Sequence, residues 1–166
     1  MATRSRTRSL FGSFVFLLVA PAVVAGVVPW LLTAWEVRDP LPGWIVLRVV
    51  GTLLIAAGAA VLLEAFLRFA LQGLGTPAPI APTEHLVVAG LYRYVRNPMY
   101  LAVAATIAGQ ALLLGQPVLL AYAALFLAVV WAFVHWYEEP TLSQQFGSEY
   151  DDYRRTVPGW WPRLRV

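Results

Sequence analysis

Four long apolar runs, at residues 10–35, 44–69, 99–114 and 117–137, constrain this chain more than any other feature. The first would span roughly 39 Å as a helix, enough to cross a bilayer with tilt. A cleaved signal peptide would have an apolar region about half as long. The third run, roughly 24 Å as a helix, is short for an upright crossing, so part of it is expected to sit against protein or a polar cavity. Only Gly115 and Gln116 separate it from the fourth run, which predicts an antiparallel helical hairpin. Backbone groups in lipid must be satisfied within the segment, so these runs are expected to be helices. The expected fold is all-α: an integral membrane bundle of four transmembrane helices with an amphipathic C-terminal helical tail. The whole of 1–166 is read as one domain, with two spans in 1–70 and a second half in 71–166.

Composition supports a membrane setting and removes several chemistries. Hydrophobic residues make up 60% and charged residues 13% of the chain, and a mean hydropathy of +0.67 lies outside the range of ordinary soluble domains. There is no cysteine, which excludes disulfides, thiolate metal sites and a cysteine nucleophile. With histidine only at 85 and 135, no metal site is expected. Every basic residue is arginine, and the arginines gather at the ends of the apolar runs instead of forming a stripe, so lipid and not nucleic acid is the expected partner. Ten arginines flank one side (4, 6, 8, 68, 93, 96, 154, 155, 163 and 165) against Arg38 and Arg48 on the other. That asymmetry predicts both termini in the cytoplasm, a bacterial inner membrane being the expected setting.

Prolines and isolated polar residues punctuate the runs. Pro21 and Pro29 should kink the first helix, which is tolerated where neighbouring groups satisfy the freed carbonyls. In the second run Gly51 and Gly58 with Ala57, Ala59 and Ala60 offer a small-residue face. Glu64, paired with Arg68, is either a functional acid or an interfacial ion pair. Gln110 requires a partner, structural or ligand. Prolines at 77, 79 and 82 favour an extended connection.

The chemistry concentrates at 90–101, Gly-Leu-Tyr-Arg-Tyr-Val-Arg-Asn-Pro-Met-Tyr-Leu. Pro98 fixes its own φ and turns Asn97 away from helical geometry, so a helix should start with Asn97 as its cap and Pro98 in its first turn. Arg93 and Arg96 stand beside Tyr92, Tyr94 and Tyr100, a set suited to a small charged molecule with a flat ring. A membrane-surface loop, with arginines on lipid phosphates and tyrosines in an interfacial belt, uses the same residues. Glu138 and Glu139 end the fourth run near the level where the third begins, so the hairpin can bring two acids opposite Arg96 and Asn97. Beyond Pro140, Leu142, Phe146, Tyr150 and Tyr153 mark one face of an amphipathic helix interrupted at Gly147. Trp160, Trp161, Arg163 and Arg165 are expected at headgroup level. Carboxylates can take ribose hydroxyls, an amino group or a sulfonium, arginine suits a carboxylate, and tyrosines stack on adenine. S-adenosylmethionine would use all of these.

The stretch 86–101, Leu-Val-Val-Ala-Gly-Leu-Tyr-Arg-Tyr-Val-Arg-Asn-Pro-Met-Tyr-Leu, followed after two helices by Glu138-Glu139-Pro140 and then Phe146-Gly147-Ser148-Glu149-Tyr150-Asp151-Asp152-Tyr153, resembles the integral-membrane methyltransferases of the isoprenylcysteine carboxyl methyltransferase and phospholipid methyltransferase superfamily. The resemblance covers 72–162. It implies transfer of a methyl group from S-adenosylmethionine to a lipophilic, membrane-embedded acceptor, an isoprenylcysteine-type carboxylate or a lipid amine, at the cytoplasmic face. It implies that 71–166 is the cofactor-binding half, with Tyr92, Arg96, Asn97, Pro98, Tyr100, Glu138, Glu139, Tyr150 and Tyr153 around the cofactor. Arg96, Asn97 and Glu139 are the candidates for catalytic contact. Asn97 stands where the family usually has histidine; it can donate and accept hydrogen bonds but does not titrate near neutral pH, which puts a base at that position in doubt. Two alternatives share parts of this pattern: an NADPH-dependent sterol-type membrane reductase, and a non-catalytic lipid-binding bundle.

Overall fold

The structure, a computed structural model, describes residues 19–72, 86 and 88–163, with the side chains of 66–72 excepted. The basic leader, the proline-rich connection at 77–82, the Arg68 side chain expected to pair with Glu64, and Arg165 lie outside what is described. Every regular element among the described residues is helical. They are α1 (Val19–Thr33), α2 (Ile45–Gln72), α3 (Pro98–Leu114), α4 (Val118–Phe146) and α5 (Ser148–Thr156), with a 3₁₀ turn at Gly90–Arg93 before α3. Two stretches are long and apolar enough to cross a membrane, Ile45–Ala65 and Val118–Phe146; α1 and α3 are shorter apolar helices. The expectation of four spans is therefore met by length in two. At 17 residues, α3 reaches about 25 Å, short of the apolar thickness of a bilayer.

The described residues divide into two compact units, one of 20–62 with 99–130, the other of 63–72, 86 and 88–98 with 131–163 and residue 19. In the first, Val103, Ile107, Ala111 and Leu114 of α3 form a buried core with Leu119 and Ala123 of α4. Close approach of α2 to α3 depends on glycine: a Cβ on Gly109 would stand 2.7 Å from the Gly51 carbonyl oxygen and 2.8 Å from Ile55 Cγ1. The three-residue connection between α3 and α4, Gly115 to Pro117, is tied to the loop after α1, Arg38 N–H donating to Leu114 O at 2.8 Å and Gln116 Nε2 to Glu36 O at 2.9 Å.

Pro29 shapes α1 in a way that assigns a partner to Gln110. A proline has no N–H, and its ring crowds the carbonyl four residues earlier. Here the helix widens into a π turn over Val23–Val27, and Val28 N–H reaches back to Val23 O. Ala25 O in the α register and Val24 O in the π register would both look to residue 29 for a donor. Gln110 Nε2 donates to Ala25 O at 2.6 Å and Tyr122 Oη to Val24 O at 2.9 Å. The glutamine required of the third apolar run is thus a structural cap.

The same rule operates in the second unit. Pro140 follows a second π turn, Val134–Glu138, in which Glu139 N–H donates to Val134 O. The helix passes through this turn without breaking and ends at Gly147, whose φ of 55° and ψ of −129° suit only glycine. α5 then starts in a new direction and buries Tyr150 and Tyr153, as its apolar periodicity requires.

Candidate functional site

Arg96 is the centre of the second unit. Its Nη1 donates to Glu139 Oε1 at 2.5 Å and to Tyr150 Oη at 3.2 Å, while Nε donates to Val157 O at 2.9 Å. Arg154 Nη2 lies 3.0 Å from the other oxygen, Glu139 Oε2. One carboxylate therefore carries two guanidinium groups. The inner pair is nearly dry, with side-chain exposures of 13% for Arg96 and 9% for Glu139, which strengthens a charged hydrogen bond relative to water.

Three elements hold Arg96 in place. The turn 94–97 runs beside a strap at 157–163: Arg96 N–H donates to Pro158 O at 2.9 Å, Asn97 N–H to Gly159 O at 3.2 Å, and Arg163 N–H to Tyr94 O at 2.9 Å. The Asn97 side chain repeats the contact, Nδ2 donating to Gly159 O at 3.1 Å. Helix α3 starts at Pro98 as expected, with Asn97 buried beneath the strap. Gly159 is tight against the guanidinium, since a Cβ there would stand 3.2 Å from Arg96 Nη2 and 3.5 Å from Asn97 Nδ2. From α5, Tyr153 Oη donates to Tyr92 O at 2.7 Å and anchors the 3₁₀ turn.

Burial raises the Tyr150 phenol above its usual range, with the Glu139 carboxylate adding to the effect and Arg96 opposing it. Burial also raises Tyr153. Both are neutral hydroxyls near pH 7, and Tyr150 accepts from Arg96 without acting as a base.

The structure thus brings together Arg96, Glu139 and Tyr150, and places Asn97, Tyr92 and Tyr153 in the contacts that frame them. Glu138 is half-buried on the π turn one residue before Glu139. Pro98 is buried at the start of α3; Tyr100, on the first turn of that helix, is half-buried in the other unit. Arg154 and the 157–159 backbone are absent from the residues singled out by sequence reasoning. A signal for Arg154 existed: it lies four residues after Tyr150, and so on the same face of α5.

The sequence profile described as phospholipid methyltransferase matches residues 46–149. The chain belongs to the phospholipid methyltransferase family. Comparisons with curated proteins and with solved structures return no match. The stretch shared with the phospholipid methyltransferases includes Arg96, Asn97, Pro98 and both glutamates, and stops one residue before Tyr150. Family membership therefore agrees with the helical hairpin that carries Arg96 before it and Glu139 after it. Tyr150, Arg154 and the strap, which complete the cluster, lie beyond the matched range.

Proposed function

We propose that this protein transfers a methyl group from S-adenosylmethionine to a lipophilic acceptor held in the membrane, a lipid amine or an isoprenylcysteine-type carboxylate. The observation that carries the reading is the buried contact between Arg96 and Glu139, whose positions are 43 residues apart in the chain.

The donor set fits the cosubstrate. Two arginines share one Glu139 carboxylate, which leaves a surplus positive charge. Among the described residues, Arg96 uses Nε and Nη1 for protein contacts and keeps Nη2 beside Gly159. Both features support recognition of a carboxylate. Glu138, with Glu139 behind it, suits an amino group or ribose hydroxyls, and the rings of Tyr92, Tyr150 and Tyr153 suit an adenine or a sulfonium. When bound, S-adenosylmethionine supplies an electrophilic methyl group whose sulfonium charge is dispersed as the methyl departs. The protein residues bind and orient, and exclude water; Asn97 contributes hydrogen bonds and no titrating base.

Calorimetric titration of purified protein with S-adenosylhomocysteine tests the reading. Glu138→Gln is expected to weaken binding roughly tenfold, about 1.4 kcal/mol, with little change in thermal stability. Methyl-labelled S-adenosylmethionine supplied to membranes containing the protein should deposit label in the lipid extract. An absence of both binding and lipid label would sink the proposal.

A further inference from the structure

We propose that the strap 157–163 is a bilayer-contacting surface, with Trp161 seated among the headgroups of lipids that include anionic species. Trp161 is 81% exposed, the most exposed large hydrophobic side chain among the described residues. It does not sit on a loose end, because the strap is tied by backbone hydrogen bonds from Arg96, Asn97 and Arg163. A large apolar ring held rigidly in the open, with an indole N–H at its edge, suits the membrane–water interface, where tryptophan is enriched.

The level of the strap can be read from Arg96. One guanidinium touches both Val157 O on the strap and Glu139 on α4. Glu138 and Glu139 are the first charged side chains, histidine aside, after the apolar run that begins at Val118. The strap thus lies where the long apolar helix meets its first acids, the expected boundary between hydrocarbon and headgroups. Trp136, 73% exposed on the same π turn, marks that boundary a second time. Charge identifies the lipid. Arg154 and Arg155 are paired with Glu139 and Asp152, but from Val157 onward the only charged residues are Arg163 and Arg165, a pattern that favours anionic headgroups. Arg163 Nη1 donates to Thr156 O at 2.8 Å, so this cation is held on the strap beside Trp161. Bilayer contact would therefore bear on the segment to which Arg96 and Asn97 are bonded.

The chain has no cysteine, so Trp161→Cys creates a single labelling position without removing a buried side chain. A spin label at 161 and another at exposed Ser148→Cys are compared in vesicles of phosphatidylcholine, with and without phosphatidylglycerol. Collision with oxygen is measured against collision with a water-soluble nickel chelate. The expected result is a several-fold higher oxygen-to-chelate ratio at 161 than at 148, increased further by phosphatidylglycerol and reduced again by Arg163→Gln. Equal ratios at the two positions overturn the proposal. Dipolar broadening between labels overturns it in favour of a second copy of the chain, and insensitivity to phosphatidylglycerol removes the anionic lipid. The readout is depth alone, so it stands or falls independently of methyl transfer.

Discussion

Arg154 is a half-exposed residue that pairs with a buried carboxylate. Its own side chain is 47% exposed while the carboxylate it holds is 9% exposed. An ion pair open to solvent on one side contributes about 0–1 kcal/mol to folding. Arg154→Gln is therefore expected to leave thermal unfolding nearly unchanged. It also releases Glu139 Oε2, and S-adenosylhomocysteine affinity should fall roughly fivefold, on the order of 1 kcal/mol, with partial recovery in Arg154→Lys. Equal affinity for the glutamine variant and wild type, measured by calorimetric titration, would remove Arg154 from the site. The buried phenols give a pH prediction. Burial raises Tyr150 and Tyr153 above the ordinary phenol range, so the native state retains their protons longer than the unfolded chain does. Their contribution is complete below about pH 10 and is lost as pH rises through the native values. Spectrophotometric titration should show late-titrating phenols, one fewer in each of Tyr150→Phe and Tyr153→Phe than in wild type. Arg96 and Glu139 were legible in the sequence because they are polar groups at the two ends of an apolar hairpin. Arg154 was not, because one more arginine in a basic tail resembles a solvated charge.

At the scale of elements, Pro29 and Pro140 follow one physical rule with different surroundings. Each is preceded by a π turn, Val23–Val27 before Pro29 and Val134–Glu138 before Pro140. Sequence reasoning anticipated a kink at Pro29 with its carbonyls satisfied elsewhere. The particular donors were not legible, because Gln110 and Tyr122 lie 85 and 98 positions away from their acceptors. The Gln110 bond to Ala25 O replaces the N–H that Pro29 lacks, so the two residues should be coupled. Gln110→Leu is expected to cost about 1–3 kcal/mol by leaving that carbonyl without a donor. In a Pro29→Ala background the restored N–H should recover much of the loss. Unfolding of the four proteins in detergent closes the double-mutant cycle, and an identical penalty in both backgrounds would show that Gln110 does not serve as the cap. The amphipathic spacing of Tyr150 and Tyr153 was read correctly for a simpler reason: burial on one face of a helix leaves a period that the sequence displays directly.

At the scale of the whole molecule, helix type was more legible than the number of crossings. Apolar runs force helices wherever lipid is the solvent, but length decides whether a helix crosses, and Ile45–Ala65 and Val118–Phe146 alone pass on length among the described residues. The arginine distribution supplies an independent constraint on topology. Ten arginines against Arg38 and Arg48 predict that the loop 36–43 faces away from the cytoplasm while the leader, the Arg96 turn and the tail face it. On that expectation the number of crossings is even, and α3, though short, would complete one with α4. The absence of cysteine makes the test direct: Asp39→Cys and Ser148→Cys each introduce one thiol at an exposed position. In intact cells expressing the protein, a membrane-impermeant maleimide should label position 39 readily and position 148 only after the membrane is opened. Labelling of both positions in intact cells, or of 148 alone, would overturn the charge argument and with it the shared face of Arg96 and the tail. Asp39 has an ion pair with Arg48 at 2.8 Å, yet its side chain is 69% exposed, so a thiol there is accessible without unfolding the loop.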